Sequence, residues 1–104
     1  MLKTFKADIR LEVICNTKTS KIVIKANAKK EVIARELGAF LISQIGKGSN
    51  YTGTSRREEY RIVLELDLKN DDFRVSSNTE TDGLRWMILL LALLELERSK
   101  ISPI

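Results

Sequence analysis

Nine consecutive apolar residues, Trp86-Met87-Ile88-Leu89-Leu90-Leu91-Ala92-Leu93-Leu94, set the strongest limit on what this chain can become. The run is far short of the roughly 20 apolar residues that cross a bilayer. Arg85 closes it on one side, and Glu95, Glu97 and Arg98 on the other. It reads as part of a helix in a soluble protein. At about 100° per residue the run takes in the whole helix circumference, so no single face is the buried one. A small domain has little material with which to cover a helix all round. The expectation is a helix with one side on its own core and another side covered by a second protein chain. On that helix Trp86, Leu89, Leu90 and Leu93 are the candidate interface residues, tryptophan being a preferred interface anchor.

A length of 104 residues suits one domain spanning 1–104. Hydrophobic residues at 43% and charged residues at 31% fit a globular protein. Histidine is missing, which removes the commonest general base and the commonest metal ligand. With no Ser-His or Cys-His pair available, the chain is expected not to be an enzyme and to need no cofactor. Cys15 stands alone, which excludes an internal disulfide and a zinc site of several thiolates. The segment Met1 to Lys6 has no apolar signal core, and a cytoplasmic location is expected.

The periodicity changes three times along the chain. From Thr4 to Ile14, apolar Phe5, Ala7, Ile9, Leu11 and Val13 alternate with polar residues, the pattern of a half-buried strand. A polar turn, Asn16 to Ser20, leads into a second alternating run with Ile22, Ile24, Ala26 and Ala28 on one side. Between Lys29 and Ile45 the spacing of Ile33, Ala34, Leu37, Phe40, Leu41 and Ile45 becomes helical, and Gly46 and Gly48 stop it. After a polar loop the order repeats. Tyr60, Ile62, Leu64, Leu66 and Leu68 mark a third strand, Lys69 to Asp72 a turn, and Phe73, Val75 and Ser77 a fourth strand. Thr79 or Thr81 can cap the closing helix, which runs to about Arg98. The predicted fold class is α+β in the order β-β-α-β-β-α, an antiparallel sheet with two helices on one face. It has two similar halves, about 1–48 and 56–100.

Basic residues offer a second line of function. Lys47, Arg56 and Arg57, with Tyr51 among them, combine phosphate-neutralising charge with a ring on which a base can stack. Glu58 and Glu59 follow directly and blunt the charge, so a solvated loop is the favoured reading of the segment. Lys21 and Lys25 share the outward side of the second strand with Lys6 and Arg10 of the first, a positive sheet face for RNA or tRNA. Asp8 and Glu12 interleave there, and ordinary cross-strand pairing accounts for that pattern. Gly46-Lys47-Gly48-Ser49 lacks phosphate-loop spacing. The acidic pairs Glu65/Asp67, Asp71/Asp72 and Glu80/Asp82 fit strand surface, turn and helix start, so no metal site is expected. Cys15 continues the inward phase of the first strand as a small core residue.

The stretch Arg61 to Leu68, the acidic turn, Phe73-Arg74-Val75 and then Thr81-Asp82-Gly83-Leu84-Arg85-Trp86 resembles the second half of the Pcc-type dimerisation subunits of the KEOPS complex. That complex makes threonylcarbamoyl-adenosine on tRNA. The resemblance covers about 45 residues and implies a non-catalytic, cytosolic homodimer that recruits a catalytic subunit and contributes to tRNA contact. It adds Leu84 and Arg85 to the interface, as the start of the docking helix. Three functional expectations stand together: a dimerising interaction subunit of a larger protein complex, a small RNA- or DNA-binding module, and a small viral or plasmid-encoded regulator or inhibitor.

Overall fold

A computed structural model of the chain describes residues 4–45, 58–79 and 82–98. The elements are β1 (Ile9–Asn16), β2 (Lys21–Ala26), α1 (Lys30–Ile45), β3 (Glu59–Asp67), β4 (Asp72–Ser77) and α2 (Asp82–Arg98). The α+β order β-β-α-β-β-α is therefore present, with four antiparallel strands in the spatial order β2-β1-β3-β4.

Alternation decides which side of the sheet is covered. Ile9, Leu11 and Val13 of β1 and Tyr60, Ile62, Leu64 and Leu66 of β3 are buried on one face. On α1, Ile33, Leu37 and Leu41 recur at every fourth position and are fully buried. Leu84, Ile88, Leu89, Ala92, Leu93 and Leu96 of α2 complete the same core. The helices thus seal one face of the sheet, and the other carries Arg10, Glu12, Ile14, Val23, Lys25, Arg61, Val63 and Glu65.

Two strand expectations shift. β1 begins at Ile9 rather than Thr4, because β3 ends at Asp67 and leaves residues 4–7 no strand to pair with. The chain there is held instead by the Lys6 N–H donating to Asp67 Oδ2 at 3.1 Å and the Asp8 N–H donating to the Leu66 carbonyl at 2.8 Å. Leu68 opens the turn and is exposed, although alternation assigned it to the inner face.

The two halves are one unit used twice, 51 positions apart. β1 pairs with β2 at Leu11↔Ala26, and β3 with β4 at the equivalent Ile62↔Ser77. Asn16 Oδ1 accepts the Lys18 and Thr19 N–H groups to open the first turn, and Asp67 Oδ1 accepts the Asn70 N–H to open the second. Each turn closes on a left-handed residue, Ser20 with φ 56° and Asp71 with φ 50°. The β1–β3 register sets Arg10 against Glu65 and Ile14 against Arg61, symmetric about the pair Glu12–Val63, whose members are themselves equivalent. A pseudo-two-fold axis therefore passes between Glu12 and Val63, normal to the sheet.

Candidate interaction surface

Helix α2 has three directions to satisfy. One side enters the chain's core through Leu84, Ile88, Leu89 and Ala92, with Leu93 beside Gly38 of α1. A second meets α1, where the half-buried Trp86 ring stands edge-on to Phe40 at 5.9 Å and Leu90 is half-buried. The third faces solvent with Met87, Leu91 and Leu94, which are 40%, 43% and 57% exposed.

The interface assignment from sequence needs correction on this point. Leu84, Leu89 and Leu93 belong to the chain's own core, because the sheet and α1 together take up those sides of the helix. Arg85 is half-buried and donates from Nη2 to the Thr79 carbonyl at 3.2 Å, which ties the helix start to the end of β4. Trp86 and Leu90 flank the α1 contact. The outward stripe is Met87, Leu91 and Leu94, three residues that an apolar run of this kind hides, since every position in it looks equally buried.

Beside this stripe a groove of about 650 Å³ runs between α2 and β2, lined by Ser20, Ile22, Leu91, Leu94, Glu95, Glu97 and Arg98. Glu95 holds Arg98 at 2.6 Å, leaving Glu97 as the surplus charge at this end. A second groove of about 470 Å³ lies between α1 and β4, with Glu36, Asp71 and Asp72 on its rim and the Phe40–Phe73 ring pair at 4.7 Å within it.

The open sheet face is a charge lattice. Glu12, on the pseudo-axis, lies 3.5 Å from Arg10 and 3.8 Å from Arg61, and Lys25 is its cross-strand neighbour on β2. Only 15% of its side chain is exposed, because the arginines close over it. Lys21 and Lys25 are exposed on the outer side of β2, as the alternation implied. Arg74, from β4, turns over the Phe5 ring at 4.1 Å. A shallow hollow of about 480 Å³ follows β3 and β4, lined by Arg61, Ser76, Ser77 and Asn78 among others. Lys47, Tyr51, Arg56 and Arg57 lie outside the described residues, as does Thr81.

Among the described residues titration is perturbed at Cys15 and Asp67. Burial raises the Cys15 thiol above its usual value, in keeping with its inward phase. Asp67 is held below the usual carboxylate range, first by the Asn70 side-chain amide and then by the Lys6 N–H. Alternation placed Asp67 on the open face as half of an acidic pair. It is instead buried as the cap of the β3–β4 turn, and the Asn70 amide three residues later was the available signal. Among the described residues no three His, Cys, Asp or Glu side chains converge as a metal site would need. No described helix is long and apolar enough to cross a membrane.

Comparison with protein-family models, with curated proteins and with solved structures finds no match for this chain.

Proposed function

We propose that the chain is a non-catalytic interaction module that pairs with a second copy of itself through the outward side of α2. The observation that carries this reading is the stripe Met87, Leu91 and Leu94, apolar and open to solvent on an element whose other sides are already packed. Isolated exposed apolar residues are ordinary, whereas a contiguous row beside a groove marks an interaction site. The resemblance of the Arg61–Trp86 region to KEOPS dimerisation subunits gives the same reading a setting: a cytoplasmic tRNA-modification assembly in which this module supplies the dimer. Sedimentation equilibrium across the micromolar range tests it. The expected result is a dimer that dissociates on dilution and that Leu91→Lys converts to a monomer. A monomer throughout the range refutes the reading.

The open sheet face supports a second reading, binding of an RNA backbone through Lys21, Lys25 and Arg74, which are exposed. Its signature is affinity that falls steeply with salt and weakens in a Lys21→Ala, Lys25→Ala variant. Salt-insensitive binding, or none, removes it.

A further inference from the structure

The repeat makes each half of the molecule a control for the other. The α2–β2 groove and the α1–β4 groove are the same place in the two units. Ser20, Ile22, Leu91 and Leu94 in one answer to Asp71, Phe73, Phe40 and Ser43 in the other. In the α1–β4 groove the Phe40 and Phe73 rings meet at 4.7 Å and polar side chains form the rim. In the α2–β2 groove the smaller Leu91 and Ile22 leave a wider space, and Leu94 replaces the serine. The fold can therefore be built with this place narrowed by two rings and edged by charged side chains, and its wider, leucine-lined form on α2 is not demanded by folding.

We infer that the chain is a fused pair of ββα units in which one of two equivalent grooves is kept open, and that a second copy seats there about a two-fold axis, so that assembly stops at a dimer. This rests on the self-association proposed above and adds where it occurs and why it occurs only once.

The chemistry of the groove selects a second copy. β2, like β4 at the far side, is an edge strand of the sheet, and among the described residues its outer side presents main-chain donors and acceptors that another strand satisfies in a row. Directly above it, α2 presents an apolar helical stripe. A matching partner brings a strand edge lying beneath a helix, which is what this unit itself possesses. The chain already joins its own two units in that manner, β1 antiparallel to β3 with α1 packed against α2. Charge fixes the register. Pairing two β2 strands about Val23 sets Lys21 of each copy opposite Lys25 of the other, a repulsive arrangement. Pairing about Ile24 sets Lys25 opposite Val23 and the two Ile24 side chains opposite each other.

Exchanging residues between the grooves tests the inference in the full chain. The closing variant Ile22→Phe, Leu91→Phe, Leu94→Ser copies the filled groove onto α2. The opening variant Phe40→Leu, Ser43→Leu, Phe73→Ile copies the open groove onto α1. Sedimentation equilibrium of wild type should give a dimer. The closing variant should dimerise at least about 100-fold more weakly while keeping a cooperative melt. The opening variant should form concentration-dependent species larger than a dimer, because two such interfaces on one chain no longer close. A wild type that stays monomeric throughout the micromolar range refutes the self-association reading itself, and this inference with it. A dimeric wild type whose closing variant dimerises equally well, or whose opening variant stops at a dimer, refutes this inference alone. If the closing variant fails to fold, Leu94→Ser decides: Leu94 is 57% exposed, so little monomer packing is lost. A dimer at least about 10-fold weaker supports the inference, and unchanged affinity refutes it.

Discussion

Asn27 and Asn78 hold the same post in the two units, and replacing them gives the most direct test of the repeat. The Arg10 N–H donates to Asn27 Oδ1 at 2.7 Å, and the Arg61 N–H donates to Asn78 Oδ1 at 3.0 Å. Asn78 also donates from Nδ2 to the Glu59 carbonyl at 3.1 Å. Each asparagine thus carries its hairpin ladder one step past the last strand pair. A hydrogen bond of this kind contributes about 0.5–1.5 kcal/mol net, and both sites are exposed, which favours the lower half of that range. Asn27→Ala should then cost roughly 0.5–1 kcal/mol and Asn78→Ala roughly 1–2 kcal/mol. Arg10 pairs with Glu65 and Arg61 with Ile14, so the two posts are four residues apart along the central strands, about 13 Å. At that separation the costs should add to within about 0.5 kcal/mol, giving roughly 1.5–3 kcal/mol for the double variant. In a chain of this size that lowers the melting temperature by about 6–20 °C. Urea unfolding followed by circular dichroism reads the free energies, and calorimetry the melting temperatures. The denaturant slope should not change, since no core surface is lost. Asn27→Ala costing more than Asn78→Ala, or a double variant off the sum by more than about 1 kcal/mol, contradicts the equivalence of the two posts.

Two further outcomes follow from the turns. Asp67 has a carboxyl lowered by the Asn70 side-chain amide first and the Lys6 N–H second. A lowered folded-state value means a stabilisation fully present above the unfolded value of about 4 and lost as pH falls through the folded one. Stability of wild type should therefore fall more steeply than that of Asp67→Asn as pH drops below about 4, and parallel curves refute this. Ser20 has φ 56°, a conformation that costs an L-residue about 1–2 kcal/mol and glycine almost nothing. Glycine loses more freedom on folding, about 0.5–1 kcal/mol, so Ser20→Gly should gain roughly 0.5–1 kcal/mol. A lower melting temperature for that variant shows that the Ser20 side chain has a stabilising partner.

The fold class was legible because the two periods are clean. Ile9, Leu11 and Val13 alternate, Ile33, Leu37 and Leu41 recur by fours, and the structure buries all of them. Strand order was not legible, since β1 and β3 carry the same alternation and nothing in a pattern of period two names a neighbour. The repeat was visible as an order of elements but not as a sequence match. Across the hairpins only Arg10/Arg61, Lys18/Lys69 and Asn27/Asn78 are identical, and the first and last of these pairs form the bonds described above. Periodicity failed in α2 for the opposite reason, an excess of apolar positions. It could not tell Leu89 and Leu93, which the chain's own core covers, from Leu91 and Leu94, which it does not.

That excess has a sharper meaning once the two helices are laid over each other. α1 and α2 occupy equivalent places, so the fold asks the same burial of both: one side toward the sheet, one toward the other helix. At the sheet side the pairs match in kind, Ile33 with Leu84 and Leu37 with Ile88. Away from it several pairs gain apolar bulk on α2: Arg35 becomes Trp86, Glu36 becomes Met87, Ala39 becomes Leu90 and Ser43 becomes Leu94, while Ala34 becomes Arg85 and Leu41 becomes Ala92 in the opposite sense. Phe40, whose ring lies in the groove beside β4, is larger than its counterpart Leu91. Trp86 and Leu90 use their bulk within the chain, packed against its core. Met87 and Leu94 stay exposed where α1 carries Glu36 and Ser43, and this is the surface that the proposed dimer would take up. Ile42 marks the boundary of this reasoning: it is 74% exposed on α1, and a single exposed apolar residue is ordinary. A row of three beside an edge strand is what the proposed dimer would cover.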